Sequence, residues 1–257
     1  MLVTLKQTLQ KAQKGRYAVG AFNVNNLEMI QAVVAAAEAE KSPAIISTSE
    51  GAIHYAGMEE LGALVRLAAG RTKLPITFHL DHGKNVDLIR TAIRSGLYGS
   101  VMFDGSSLPY EENVAVTAEL VALARKAGVS VEAELGAIAG IEDFVTVEDR
   151  DAHLTDPKQA VDFVKRTGCD ALAIAVGTKH GAYKFAGDSV LDYVRIKKIA
   201  SIVKIPLVLH GASGVPENVK KVCIQYGCDI EDAKGVSDAS IRKAVSLGIN
   251  KVNIDTD

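Results

Sequence analysis

In the stretch PLVLHGASG, Pro206 to Gly214, a run of apolar residues stops at a histidine that glycine follows immediately. The same pair follows apolar runs in FHLDHG (His82-Gly83) and AIAVGTKHG (His180-Gly181). A buried strand gains nothing from an imidazole at its end unless that end opens onto a polar site. Three segments far apart in sequence therefore deliver one residue pair to the same place, provided the fold gathers their C-terminal ends.

Short apolar runs alternate with amphipathic segments along the chain, with no Pro/Ser-rich linker and no shift of composition, which implies one domain spanning 1–257. The expected strands are Tyr17–Asn23, Ala44–Ser49, Ile76–Leu80, Ser100–Asp104, Ser130–Leu135, Ala171–Val176, Leu207–His210 and Lys251–Ile254. They are mostly apolar without strict alternation, as strands covered on both faces are. Leu27–Glu40, Met58–Ala69, Pro109–Lys126 and Val190–Val203 carry apolar residues at helical spacing. Thr4 with Gln7 suits a capping box, and Asp156-Pro157 a capped helix start. Eight strand-helix alternations predict an α/β fold, a (β/α)8 TIM barrel. The sequence stops at Asp257, directly after the eighth strand, so the eighth helix is expected to be absent from it. An open doubly wound sheet is disfavoured because VGAFNVNN lacks the GxGxxG glycines after a first strand.

Composition narrows the function. The net charge of −2, with both signs interspersed, offers no stripe for nucleic acid. No run of eighteen apolar residues would span a membrane, and the N-terminus is too polar for a signal peptide, so a soluble cytoplasmic protein is expected. Cys169, Cys223 and Cys228 lie in no CxxC pair and read as structural thiols in a reducing compartment.

On a barrel the C-terminal strand ends share one rim. Asn23, Ser49, Asp81, His82, Asp104, Glu134, His180, His210, Asn253 and Asp255 all fall at or just beyond those ends. Three neutral imidazoles with an open fourth position suit zinc, and the glycine after each admits a close approach of backbone or substrate. His79 belongs behind the ligands, and His54 and His153 on the surface. Glu132 and Glu134 share one face of the fifth strand, and near Asp104 they require a cation, either a second metal or a buried basic side chain. Asp81 beside a ligand is the candidate for proton transfer. Gly211 to Gly214 and the end of the eighth strand suit a phosphate, with Lys184 supplying charge. Gly136 to Asp156 is longer than a connection needs and is expected to form a mobile lid carrying Glu142 and Asp143.

The ordered set GAFNVNN, STSEGA, HLDHG, SVMFDGS, VSVEAELG, GTKHGAYK, PLVLHGASG and KVNIDTD, running from about Val3 to Asp257, resembles the class II, metal-dependent fructose-bisphosphate aldolases and their tagatose-bisphosphate relatives. The resemblance implies His82, His180 and His210 as ligands of a catalytic Zn2+. It implies Asp81 as the acid-base group at the substrate C4 hydroxyl and Glu142 as that at the carbon next to the carbonyl. Asp104 and Glu134 would match carboxylates that bind a second divalent metal in some members. The carbonyls of Lys179, Gly181 and Gly211 would match a Na+ or K+ site. Gly181, Lys184, Gly211, Ser213, Asn253, Asp255 and Thr256 would bind a phosphate and the dihydroxyacetone portion, and Asn23 and Ser49 would help hold the sugar bisphosphate. A homodimer or homotetramer is implied too. The sequence departs from the family at Ala139, where many relatives carry glycine, and in ending before the family's C-terminal helix and arm. No lysine is expected inside a strand, which disfavours a Schiff-base aldolase using Lys179 or Lys184. Barrel metallohydrolases would want an HxH pair where this chain has FNVN. A non-catalytic barrel binding metal or sugar phosphate is the remaining alternative.

Overall fold

The computed structural model describes residues 1–142, 145–147, 153–180, 191–230 and 233–255, with backbone alone for 139–142, 145–147 and 179–180. Its strands are β1 (Val19–Asn23), β2 (Ala44–Thr48), β3 (Ile76–Gly83), β4 (Ser100–Phe103), β5 (Ser130–Leu135), β6 (Ala139–Glu142), β7 (Val145–Val147), β8 (Ala171–Ile174), β9 (Lys179–His180), β10 (Leu207–Leu209) and β11 (Ile249–Ile254). The helices are α1 (Leu5–Gly15), α2 (Leu27–Glu40), α3 (Glu50–Ala56), α4 (Met58–Gly70), α5 (Val86–Arg94), α6 (Tyr110–Ala127), α7 (Pro157–Thr167), α8 (Tyr193–Ile202), α9 (Glu217–Gln225) and α10 (Asp238–Ser246). Eight parallel strands close a barrel in the order β1, β11, β10, β8, β5, β4, β3, β2. These are the eight expected strands, with β5 as predicted and each of the other seven displaced at one end by one to three residues. The chain folds as a (β/α)8 TIM barrel.

The outer strand faces carry Val, Ile, Leu and Phe that pack against the helices as one large cluster. Inside the barrel the composition grades along the axis. Val19, Ala21, Ile45, Met102, Ala171, Ala173 and Val208 form a smaller apolar cluster with Leu5, Leu9 and Ala12 of α1. Above it come His79, Asp81, Glu132 and Lys251, all buried. The apolar layer thus closes the N-terminal end and leaves the charged layer beneath the C-terminal rim.

Local chemistry places α1 across that N-terminal end. Thr4 and Gln7 form the expected capping box, which satisfies backbone donors that the first turn leaves unpaired. Lys6 N donates to Ser130 Oγ at 3.1 Å, and Thr8 Oγ1 lies 2.9 Å from Thr77 Oγ1, tying the helix to the starts of β5 and β3. Asp156 likewise caps α7, with Pro157 in its first turn.

The segment expected as a lid contains strands. β6 pairs antiparallel with β7 and parallel with β9, and Ala137 bridges His153. Gly136, at its root, takes φ +90°, and a Cβ there would sit 2.8 Å from Thr155 Oγ1 and Ala175 Cβ. Asp143 lies outside the described residues. Among the described residues no helix is long and apolar enough to cross a membrane.

Leu9 has no exposure to water. Leu9→Ala is expected to destabilise the barrel by about 2–5 kcal/mol, read as a lower urea midpoint, whereas Lys11→Ala on the exposed face of α1 should stay within about 0.5 kcal/mol.

Candidate active site

Two consecutive residues of β3, Asp81 and His82, both reach the rim, which a regular strand forbids because successive side chains alternate faces. The ladder between β3 and β4 shifts register between Leu80 and Gly83, and His82 adopts φ +43°. This irregularity turns the imidazole to the same side as the carboxylate. Gly83 has its own reason: a Cβ there would lie 2.7 Å from Met102 O of β4. Gly211, after His210, takes φ +61°, which favours glycine. The two described His-Gly pairs therefore need glycine for different backbone reasons, neither of which requires a ligand.

The rings of His82 and His210 meet edge to face with centroids 4.3 Å apart. Ligand-type atoms of Asp81, His82 and His210 lie within 4.8 Å of one another, as do those of His82, Asp104 and Glu134. Neutral imidazole nitrogens and carboxylate oxygens form a donor set for a borderline divalent cation such as zinc. Charge agrees with that fit. Asp81, Asp104, Glu132 and Glu134 face two nearby ammonium groups, Lys84 and Lys251, so with neutral imidazoles a deficit of two positive charges remains among the described groups.

Each carboxylate is held differently. Asp81 accepts from Asn253 Nδ2 at 2.8 and 3.0 Å and from Asn23 Nδ2 at 3.2 Å, so two amides clamp it. Burial pushes its carboxyl up, but the positive charge around it, the Lys251 ammonium included, outweighs that and holds it well below the usual carboxylate range. Burial likewise raises Asp104, and His82, Lys84 and Ser106 overcome it to leave the group strongly depressed. Ser106 Oγ donates to Asp104 at 2.6 Å. Glu132 is lowered to about 2, its burial outweighed by Lys251 and by hydrogen bonding to His210. Burial, with the neighbouring His82, lowers His210 to about 4, so the ring is neutral at pH 7.

The structure thus brings together Asn23, Asp81, His82, Asp104, Glu134, His210 and Asn253 from the expected set. Ser49 caps α3, its Oγ accepting from Ala52 N at 3.2 Å. Ser213 Oγ accepts from Asp255 N at 3.0 Å, joining the loops after β10 and β11. The backbone of Gly140, in the expected lid, pairs with that of His180. The side chains of Glu142, Lys179 and His180, and all of Gly181, Lys184 and Thr256, lie outside the described residues.

One expectation is overturned. A lysine does sit inside a strand: Lys251 of β11 is wholly buried in the barrel, its Nζ 2.9 and 3.0 Å from the Glu132 oxygens. It heads the predicted strand and lies two residues before Asn253, so period-two alternation places both on the inner face. That signal was available in KVNID. Engaged with a carboxylate and with His79 Nε2 at 3.3 Å, the ammonium has no lone pair to attack a ketone.

The sequence from residue 3 to residue 257 matches the family model described as fructose-bisphosphate aldolase class-II. The chain belongs to this family. Aldolases of this class are metal-dependent lyases, in keeping with the donor groups at the rim. Among curated relatives, the fructose-bisphosphate aldolase of Helicobacter pylori is 46% identical over 258 residues, covering the whole chain and 84% of that protein. The fructose-bisphosphate aldolase of Thermus caldophilus is 47% identical, with the same coverage. A crystal structure of the YdjI aldolase from Escherichia coli K12 superposes with a TM-score of 0.81 at 36% identity, covering 100% of this chain and 82% of that one. The aldolase chain described here thus shares both sequence and barrel with its relatives.

A histidine whose pKa falls on folding binds fewer protons in the native than in the unfolded state, so stability rises with pH between the two values. For His210 that window runs from about 4 to 6.5. The urea midpoint of the metal-free protein is therefore expected to fall as pH is lowered from 6.5 to 4. Below about 4.5 the depressed Glu132 adds a further loss. A midpoint that is flat across pH 4–6.5 would contradict a neutral buried His210.

Proposed function

We propose that this chain is a zinc-dependent aldolase that reversibly cleaves fructose 1,6-bisphosphate into dihydroxyacetone phosphate and glyceraldehyde 3-phosphate, a step of glycolysis and gluconeogenesis. The observation that carries the reading is the convergence of Asp81, His82 and His210 at one rim, with ligand-type atoms within 4.8 Å. His82, His180 and His210 would hold the zinc, and Asp104 and Glu134 a second divalent ion. The carbonyls of Lys179, Gly181 and Gly211 would hold Na+ or K+. The protein would act in the cytoplasm as a homodimer or homotetramer.

A bound dication would stabilise the negative charge that develops when the C3–C4 bond breaks. Asp81 takes the proton of the C4 hydroxyl as that bond opens, because its depressed pKa keeps it ionised at neutral pH and two amides fix its orientation. Its oxygens are engaged by Asn23 and Asn253, which favours a proton-carrying role over ligation. The Oδ1 atoms of those amides are buried and accept no hydrogen bond from the described residues, so they suit substrate hydroxyl donors. Glu142 would return a proton to C3. Ser213 and Asp255, already joined by a hydrogen bond, present the loops that would bind a phosphate, with Gly181, Lys184, Gly211 and Thr256 completing it. Ser49 helps hold the far end.

Asp81→Ala is expected to retain zinc while cleavage falls by about 10²- to 10⁴-fold, whereas His210→Ala loses the metal itself. Equal zinc loss in both variants, measured by metal analysis after gel filtration, would reject the division of roles. Full activity after verified chelation would reject metal dependence, and substrate-dependent inactivation by borohydride would point instead to a lysine. The choice of sugar is tested by comparing kcat/KM on fructose and tagatose 1,6-bisphosphates, where a strong preference for tagatose overturns it.

A further inference from the structure

We propose that Lys251 is a positioning residue that fixes the tautomers of the two buried imidazoles, His210 and His79, and so decides which nitrogen of His210 faces the metal centre. The inference depends on the metal-centre reading above, but it concerns a side chain to which that reading gives no task.

An ammonium only donates. Its neighbours at hydrogen-bond distance, Glu132 Oε2 at 2.9 Å, Glu132 Oε1 at 3.0 Å and His79 Nε2 at 3.3 Å, must therefore accept. Two consequences follow from this arrangement. Glu132 is an acceptor at both oxygens, so its 2.8 Å contact with His210 Nε2 requires a proton on that nitrogen. The lone pair of His210 is then on Nδ1, the atom left for the group formed with Asp81 and His82. His79 has the opposite tautomer. Its Nε2 accepts from Lys251, so its proton is on Nδ1 and is donated to Ser100 Oγ at 2.7 Å. Asp81 and Glu132, at 3.7 and 3.8 Å from His79 Nε2, lie beyond hydrogen-bond reach of it.

His79, Asp81 and Glu132 also cluster as a metal site would. In that cluster the lysine supplies the cation, with its charge 2.9 Å from Glu132 and 4.0 Å from Asp81. The covalently attached charge thus confines any divalent ion to the rim above.

The test uses full-length, metal-free protein labelled with 15N-histidine. Long-range 1H–15N correlations separate imidazoles protonated on Nδ1 from those protonated on Nε2. The expected pattern at neutral pH is Nε2–H for His210 and Nδ1–H for His79. A wild-type His210 protonated on Nδ1 overturns the proposal without any variant, so the outcome does not hang on whether a mutant folds. In Lys251→Met, where Glu132 loses the cation that keeps it an acceptor at both oxygens, His79 and His210 are both expected to exchange between tautomers, and zinc affinity by chelator competition to fall roughly 10- to 100-fold. A folded Lys251→Met with the wild-type pattern and affinity overturns the proposal. Leu9→Ala, destabilised elsewhere, should keep both, which separates positioning from general weakening. The expected wild-type pattern in a protein that binds no zinc would sink the metal reading and leave the tautomer assignment standing.

Discussion

Glu132 is a carboxylate sealed from water, and the upper barrel is arranged around how its charge is answered. Losing the partner of such a group costs about 3–5 kcal/mol, whereas replacing a whole buried ion pair by apolar side chains is often neutral. Net stability is therefore a weak reason for the pair with Lys251. Geometry is the stronger one, because the carboxylate of β5 joins the lysine of β11 and, through it, His79 of β3, while its own oxygen holds His210 beyond β10. Four segments far apart in sequence are locked in register by charge-assisted contacts that are shorter and more directional than apolar packing.

The layer above inherits that order. Asp81 is clamped by amides from β1 and β11, and Asp104 by Ser106 and Lys84, so the acidic groups facing the rim are oriented before anything binds. Fixed dipoles of this kind need no reorganisation when charge develops, which is where barrel enzymes gain much of their rate. The strained backbone of His82 belongs to the same economy of placement: a left-handed residue in a strand survives only where its surroundings over-determine it.

The barrel was legible in the sequence because its signals are local and repeated. Runs such as ALAIAV and PLVLH are too apolar and too short for anything but buried strands, and Thr4, Asp156 and Pro157 mark helix starts by chemistry that needs no tertiary context. Asp81, His82 and His210 were legible because polar residues at apolar strand ends stand out. Lys251 was legible only through its parity with Asn253, since at the head of a short run it otherwise reads as a solvated boundary residue. The β3 bulge was equally hidden: nothing in HLDHG says which of two adjacent polar residues must break the pleat. The strands of the β6–β7 ribbon, within the segment expected as a lid, were hidden because its acidic, glycine-containing sequence lacks a strand's usual composition, and its pairing with β9 is decided by residues some forty positions away.

The helix α1, with Leu5, Leu9 and Ala12 filling the lower interior, acts as a stopper. Among the described residues, this plug lies on the side of the charged interior away from the C-terminal rim. With the floor filled by aliphatic side chains, whatever this aldolase binds meets its charged groups from the rim side, so the loops after the strands, and not the helix beneath, shape the approach.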